Sequence, residues 1–152
     1  MTAPRTEPLA PRGLHFFVTD MSRTLAFYRR AGVEIPAESV WSVGGKEHHV
    51  EIELPQGLTL AFDSIELTRG YDPGCKAPSG PAHNVLIFNL PTREAVDARH
   101  ADLTSAGHAS HLAPHDAFWG ARYAIVLDPD GSQVGFMSPS DPARRRPPPS
   151  PA

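Results

Sequence analysis

The chain has 152 residues, which suits one domain or two small halves that share a core. Its net charge of −3 gives no basic excess, so we expect no nucleic-acid binding. No apolar run approaches the roughly 18 residues of a membrane span, and no signal-peptide pattern opens the chain. Because the single cysteine, Cys75, has no internal partner, a reducing and therefore cytoplasmic location is expected.

Both ends of the chain are rich in proline and lack apolar periodicity. Three prolines fall within residues 1–12 and six within residues 139–152, next to three consecutive arginines. This composition is typical of disordered segments. The sequence therefore predicts a disordered N-terminal arm (1–12), a folded region (13–138) and a disordered tail (139–152).

The first half of the folded region begins with a strand over residues 14–19. Asp20 can cap a following helix, because its carboxylate can accept the free N–H groups of the first turn. Apolar residues recur at helical spacing over residues 21–28, and Gly32 is a typical helix end. Two turn signals, Gly44-Gly45 and residues 55–57, then separate three further strands. These strands are predicted over residues 39–43, 48–54 and 58–63.

The same order of elements returns in the second half. A stretch rich in glycine and proline, residues 64–82, is predicted to be a linker. A turn at Asp128-Pro129-Asp130-Gly131 separates the last two strands. The repeated order suggests an internal duplication, with module one at about 13–63 and module two at about 83–138. The second set of elements comprises strands 85–90, 108–112, 122–127 and 133–138 and a helix over 92–106.

Alternation along the strands separates two kinds of face. One face is uniformly apolar and is expected to pack under the helices. The other carries His15, His49, Glu51 and Asp63 among smaller residues. A curved sheet with such a mixed face forms a concave site that can hold a small ligand.

This arrangement resembles the vicinal oxygen chelate superfamily, which includes glyoxalase I, bleomycin-resistance proteins and extradiol dioxygenases. The resemblance implies an α+β fold in which two βαβββ modules form a U-shaped mixed β-sheet cleft, often as a homodimer. It covers nearly all of the folded region. The matching motifs are Val18-Thr19-Asp20-Met21, Phe27-Tyr28, Gly32, Gly120-Ala121-Arg122 and Asp128-Pro129-Asp130-Gly131.

Enzymes of this superfamily hold a divalent ion with His, Glu or Gln side chains on inward strand positions, where the ion acts as a Lewis acid. The resemblance places these positions at Gly13, Val85, Gly135 and either Ala61 or Asp63. Glycine, valine and alanine side chains have no lone pair for a metal. The expectation is therefore no metal cofactor, as in the bleomycin-resistance branch, whose cleft holds a drug without chemistry.

A displaced metal site is the alternative. His15, Asp63 and His83 lie in phase with the family's positions and could together hold a divalent ion. Against this, a shift of two residues along a strand moves a ligand by roughly 6.5–7 Å.

The leading functional hypothesis is a metal-independent protein that sequesters or carries a partly aromatic small molecule, with antibiotic resistance as one version. The alternatives are a metal-dependent lyase, isomerase or dioxygenase, and a regulatory or structural homodimer without a substrate. Arg122 can pair with an anionic ligand or with Asp116. The predicted ligand-binding residues are His15, Phe17, Trp41, His49, Glu51, Asp63, Trp119, Arg122 and Gln133.

Overall fold

The structure is a computed structural model and describes residues 9–151, so most of the predicted N-terminal arm lies outside the described residues. The chain divides into two compact units: unit 1 holds residues 9–21 and 35–77, and unit 2 holds residues 22–34 and 78–151. The elements of both units are, in chain order, β1 (Gly13–Val18), α1 (Met21–Ala31), β2 (Val40–Val43), β3 (Lys46–Glu53), β4 (Thr59–Ser64), α2 (Ile65–Tyr71), β5 (Val85–Asn89), α3 (Arg93–Ser105), β6 (Ser110–Asp116), β7 (Arg122–Leu127) and β8 (Gln133–Met137), with 3₁₀ turns at Ala37–Ser39 and Pro142–Arg144.

Each unit contains one four-stranded mixed sheet, and the two sheets have equivalent orders. Sheet A, in unit 1, has the order β1-β4-β3-β2, and sheet B, in unit 2, has the order β5-β8-β7-β6. The first pair of each sheet is parallel and the remaining pairs are antiparallel. The predicted α+β class and the repeated strand order are confirmed.

Sheet A has one buried apolar face, as the alternation predicts. Val50, Leu60 and Phe62 are completely buried there, and the register aligns Val50 with Phe62 and Ile52 with Leu60. Because apolar side chains on one face exclude water together, this face is the core of unit 1.

The predicted linker is partly wrong, because residues 65–71 of it form α2. The Ser64 hydroxyl caps this helix by accepting the Leu67 N–H at 3.1 Å. Ile65 and Thr68 are buried, and the helix contacts β1, β3 and β4. The composition hides the helix because Gly70 and the glycines and prolines beyond it are typical of loops.

In unit 2, α3 packs on sheet B through its contacts with β6, β7 and β8. The Thr92 hydroxyl caps α3 by accepting the Ala95 N–H at 3.1 Å. Val96 and Leu103 of the helix are fully buried. Strand β6 runs to Asp116, four residues beyond its predicted end, because His115 and Asp116 still pair with β7.

Most of helix α1 belongs to unit 2, where two of its side chains bond to other elements of that unit. The Tyr28 hydroxyl donates a hydrogen bond to Asp128 at 2.9 Å, and both groups are buried. Burial, followed by the Asp128 charge, raises the pKa of Tyr28, and burial raises the pKa of Asp128. At the end of α1, Arg30 forms two hydrogen bonds with Asp102 of α3, at 2.9 and 3.0 Å.

Two predicted turns have the backbone that their residues require. Gly44 and Gly45 have φ values of 58° and 79°, the left-handed region that a two-residue hairpin needs and that glycine adopts at low cost. In the second turn, the Asp128 carboxylate accepts the N–H groups of Asp130 and Ser132 at 3.0 and 2.9 Å.

The described part of the tail follows a defined path on unit 2, which differs from the disorder that its composition predicts. The Arg146 N–H donates to the Phe118 carbonyl at 2.8 Å, and the Asp141 N–H donates to the Gly120 carbonyl at 3.1 Å. Because proline has no backbone N–H, a proline-rich segment cannot form a regular ladder of hydrogen bonds. The contacts with unit 2 therefore hold the tail in place.

Candidate functional site

The polar side chains of sheet A lie on the face opposite its core, in rows that cross the strands. Phe17 pairs with Asp63, and Asp63 pairs with His49. His15 and Glu51 both pair with Ala61 in the next row. Directly paired residues share a face of the sheet. We call this surface the polar face, and its residues are His15, Phe17, His49, Glu51, Ala61 and Asp63.

Asp63 is the centre of a hydrogen-bond network on the polar face, although the residue is only 3% exposed. Its Oδ2 lies 2.9 Å from His15 Nε2, and its Oδ1 lies 2.5 Å from His49 Nδ1. The Tyr71 hydroxyl donates to Oδ2 at 2.6 Å. Side chains from β1, β3 and α2 therefore converge on one carboxylate of β4.

The network keeps Asp63 ionised despite its burial. Burial acts to raise the pKa of the carboxyl. The hydrogen bonds from Tyr71 and His49 and the charges of both histidines outweigh this, and the pKa of Asp63 lies below its ordinary value. Burial and the bond to Asp63 raise the pKa of Tyr71, so its hydroxyl remains a donor.

The ionised carboxylate also sets the orientation of the two imidazoles. A carboxylate only accepts hydrogen bonds, so the nitrogens that face it, Nε2 of His15 and Nδ1 of His49, are assigned as protonated. In the neutral ring the second nitrogen is then an acceptor. The side chains of His15 and His49 are 43% and 37% exposed. The polar face therefore presents two oriented imidazoles to a ligand.

Aromatic groups lie beside these imidazoles. The ring of Phe17 is 5.4 Å from the ring of His15, and Phe17 is about a third exposed. The register places Trp41 opposite His49, yet its indole contacts the ring of His48, at 6.0 Å between centroids. The structure thus brings Phe17 to the network, whereas the indole of Trp41 lies beside a histidine that is not on the polar face.

The other three predicted ligand-binding residues lie in unit 2, and each has partners there. Arg122 pairs with Asp97 at 2.8 Å and with Asp116 at 3.2 Å, the internal pairing that the sequence offered as one alternative. Gln133 donates its amide to the Ala82 carbonyl at 3.1 Å. Trp119 packs on an apolar cluster that contains Tyr123, with 5.6 Å between the two rings.

Tyr71 is a site residue that the sequence analysis missed. It ends α2, and only that helix brings its hydroxyl to Asp63. A tyrosine inside a segment with the composition of a linker carries no signal for such a role. Recognition of Ser64 as a helix cap would have been the available clue.

The family's metal positions in unit 1 do not fit a metal centre. A side chain at Gly13 is blocked, because a Cβ there would lie 2.6 Å from the Thr59 carbonyl oxygen. Ala61 is buried on the polar face between His15 and Glu51 and has no donor atom. Neither Gly13 nor Ala61 has a side-chain atom that can bind a metal.

The corresponding positions in unit 2 are filled by apolar groups. A Cβ at Gly135 would lie 3.0 Å from Tyr123, 3.1 Å from Val85 and 3.2 Å from Ile87. Val85 and Tyr123 belong to the same apolar cluster. A metal needs several N, O or S donors, and the atoms nearest to Gly135 are all carbons.

The structure shows one of the contacts expected for the displaced metal site. His15 and Asp63 are in contact at 2.9 Å, whereas His83 lies in an exposed bend two residues before β5 in unit 2. Both oxygens of Asp63 already accept hydrogen bonds. Within residues 9–151, no group of three or more His, Cys, Asp or Glu side chains is arranged to hold a metal ion.

The chain belongs to the Glyoxalase/Bleomycin resistance protein/Dioxygenase superfamily, whose family model matches residues 12–136. This agrees with the two four-stranded mixed sheets and confirms the resemblance found in the sequence. No curated protein matches the chain. In the described part of the chain, no helix has the length and apolar character needed to cross a membrane.

Solved structures of the same kind are similar over nearly their whole length. A glyoxalase/bleomycin resistance protein/dioxygenase family enzyme from Burkholderia phytofirmans PsJN is 22% identical, covering 85% of this chain and 98% of that one, with a TM-score of 0.68. A hypothetical protein from S. aureus is 18% identical over 88% and 96% of the two chains, with a TM-score of 0.67.

A third relative is a genomically encoded fosfomycin resistance protein, FosX, from Listeria monocytogenes. That structure is of a mutant complexed with Mn(II) and 1S,2S-dihydroxypropylphosphonic acid. It is 15% identical, covers 91% of this chain and 96% of its own, and has a TM-score of 0.63. At these identities the likeness shows a shared fold.

Proposed function

We propose that this protein binds a small, partly aromatic molecule without a metal ion, and that the ligand lies on the polar face of sheet A. One observation carries the proposal. Three of the family's metal positions, Gly13, Val85 and Gly135, have no donor atoms, and the space beside both glycines is occupied. The fourth falls on Ala61, which has none, or on Asp63, whose two oxygens already accept hydrogen bonds. The residues present can bind and orient a molecule, but they do not form the family's chelate.

The polar face supplies the contacts that such a ligand needs. Asp63 contacts one nitrogen of His15 and one of His49, so the second nitrogen of each partly exposed ring is left to form a hydrogen bond with a ligand. Phe17 offers an exposed ring beside them. Because Asp63 fixes both imidazoles before binding, little side-chain entropy is lost when the ligand arrives.

The metal part of the proposal is tested by elemental analysis of protein purified without a histidine tag and dialysed against each divalent metal in turn. We expect substoichiometric metal in every sample. Stoichiometric metal that is lost in both His15→Gln and Asp63→Asn would support the metal-dependent enzyme instead.

The binding part is tested by a thermal-shift screen with planar aromatic compounds, among them antibiotics, since one structural relative is a resistance protein. A ligand that binds only the folded state raises the melting temperature. His49→Gln should reduce that rise. His100→Gln is the matched control, because it also loses one side-chain hydrogen bond, to Ser110, but lies in unit 2.

A screen without any hit would contradict the proposal and favour a regulatory or structural homodimer. Homodimer formation is itself a prediction from the family. Size-exclusion chromatography with light scattering tests it independently of any ligand.

A further inference from the structure

Two adjoining pockets lie on unit 2, between the loop that precedes β7 and the described part of the tail. Their volumes are about 330 and 370 Å³, each within the lower range of small-molecule sites. Both are lined by Asp116, Ala117 and Arg146, so they are continuous with each other. We call the first the arginine pocket and the second the aromatic pocket.

The arginine pocket carries uncompensated positive charge. Arg93 pairs with Asp116, and Arg144 lies 3.5 Å from Asp141. Within residues 9–151, neither Arg145 nor Arg146 forms an ion pair with a carboxylate. An anion in this pocket would therefore meet two guanidinium groups whose charges are available.

The aromatic pocket has rings and prolines as its walls. It is lined by Phe118, Trp119, Pro147 and Pro149, together with His115. Phe118 remains 37% exposed although a large apolar ring favours burial. The rings of Phe118 and Trp119 meet edge to face at 5.1 Å, which leaves apolar surface on which a planar group can stack.

The tail that completes both pockets is held against the loop by hydrogen bonds from its backbone and side chains. The Arg146 N–H donates to the Phe118 carbonyl at 2.8 Å. Arg146 also donates through its guanidinium to the Asp116 carbonyl, and Ser140 donates to the Trp119 carbonyl. These bonds keep the arginines beside the aromatic rings, so the charge and the stacking surface face a common space.

We infer that unit 2 carries a binding site for a planar aromatic anion. The carboxylate or phosphate group lies in the arginine pocket against Arg145 and Arg146, and the ring lies in the aromatic pocket against Phe118 and Trp119. This site uses other residues than the polar face of sheet A and does not depend on the ligand proposed there.

The test follows the two tryptophan indole N–H signals in ¹H–¹⁵N NMR spectra during titration with 1-naphthyl phosphate. Trp41→Phe and Trp119→Phe assign the signals. We expect the Trp119 signal to shift in a saturable manner while Trp41, in unit 1, stays unchanged. Inorganic phosphate alone and 1-naphthol alone should bind more weakly, and 1-naphthoate shows which anionic group is preferred.

Two variants test the assigned contacts. Arg145→Gln combined with Arg146→Gln should weaken binding of 1-naphthyl phosphate by about tenfold or more, because charge-assisted contacts are lost. Phe118→Ala should lower the affinity for 1-naphthyl phosphate more than the affinity for inorganic phosphate. Arg12→Gln, an exposed arginine in unit 1, is the control and should leave the affinity unchanged.

Three results would overturn the inference. The first is a Trp119 signal that does not move at millimolar 1-naphthyl phosphate. The second is equal affinity in the double arginine variant when its melting temperature matches that of the parent protein. The third is equal binding of 1-naphthol and 1-naphthyl phosphate, which would show an apolar pocket without anion recognition.

Discussion

At the scale of single residues, the Asp63 carboxylate is almost inaccessible to water, accepts hydrogen bonds from His49 and Tyr71 and lies 2.9 Å from His15 Nε2. An unpaired charge at such a position would be strongly unfavourable, whereas a carboxylate with these three partners is stable. The same bonds orient the imidazoles. Asp63 therefore links folding stability to the geometry of the proposed binding surface.

Asp63→Asn should destabilise the protein by about 1–3 kcal/mol near neutral pH, because its buried amide N–H₂ would replace one acceptor oxygen and face a donor. Denaturant unfolding measures this. Glu51→Gln, on the exposed part of the same face, is the control and should change stability little. Equal stability of Asp63→Asn and the parent protein would mean that the network is not formed in solution.

The pH dependence of that difference follows from the lowered pKa of Asp63. A carboxyl whose folded pKa is depressed contributes stability above its unfolded pKa, about 4, and loses it as pH falls through the folded pKa. The gap between the parent protein and Asp63→Asn should therefore be largest near neutral pH and shrink in acid. A stability difference that grows as the pH falls below about 4 would contradict the lowered pKa of Asp63.

Part of this site was predictable from the sequence. Alternation along the strands was sufficient to place His15, His49 and Asp63 on one face, because a strand has a period of two residues. The contact with Tyr71 was not predictable. It depends on how α2 folds back after β4, which no local pattern records.

At the scale of elements, α2 contacts β1, β3 and β4 of sheet A, and Tyr28 and Arg30 of α1 bond to Asp128 and Asp102 within unit 2. The sequence predicted the existence and bounds of α1 well, since its apolar spacing is regular. It did not predict the partner of α1. An amphipathic helix shows which side is buried but not which surface it is buried against.

Two glycine substitutions test the packing of these elements. Gly135→Ala should destabilise the protein by about 1–3 kcal/mol, because its Cβ would crowd Tyr123, Val85 and Ile87. Gly70→Ala should stabilise it by up to about 1 kcal/mol, because nothing lies within 4 Å and alanine favours the helix. Thermal unfolding of the two variants measures both. The same sign of change in both would contradict this account of the packing.

At the scale of the whole molecule, lowered pKa values outnumber raised ones among the carboxyl groups of residues 9–151 whose pKa is shifted. Asp128 is the described carboxyl whose burial raises its pKa, so its contribution opposes the others. Because the lowered pKa values predominate, we expect the free energy of unfolding to fall as the pH drops below about 4. The groups with lowered pKa values are Asp63, Glu66, Asp102 and Asp116.

High salt distinguishes the contributions that buried and exposed groups make to the loss of stability in acid. In about 1 M NaCl the contributions of the exposed pairs, such as Arg30 with Asp102, should be largely screened. The contribution of Asp63 should remain because its partners touch it directly. Thermal unfolding between acidic and neutral pH, at low and high salt, measures this. Loss of the whole pH dependence in salt would contradict it.

By itself the sequence determined the superfamily, the repeated β-α-β-β-β order along the chain and the lack of donor atoms at Gly13, Val85 and Gly135. These are local properties: side-chain alternation, turn residues and the atoms of each side chain can be read without a partner. The tertiary structure alone decided that Asp63 binds two histidines and Tyr71, that Arg122 and Gln133 are engaged within unit 2, and that the tail lies beside Phe118. Each of these depends on contacts between residues far apart in the chain, and such contacts form only when whole elements pack.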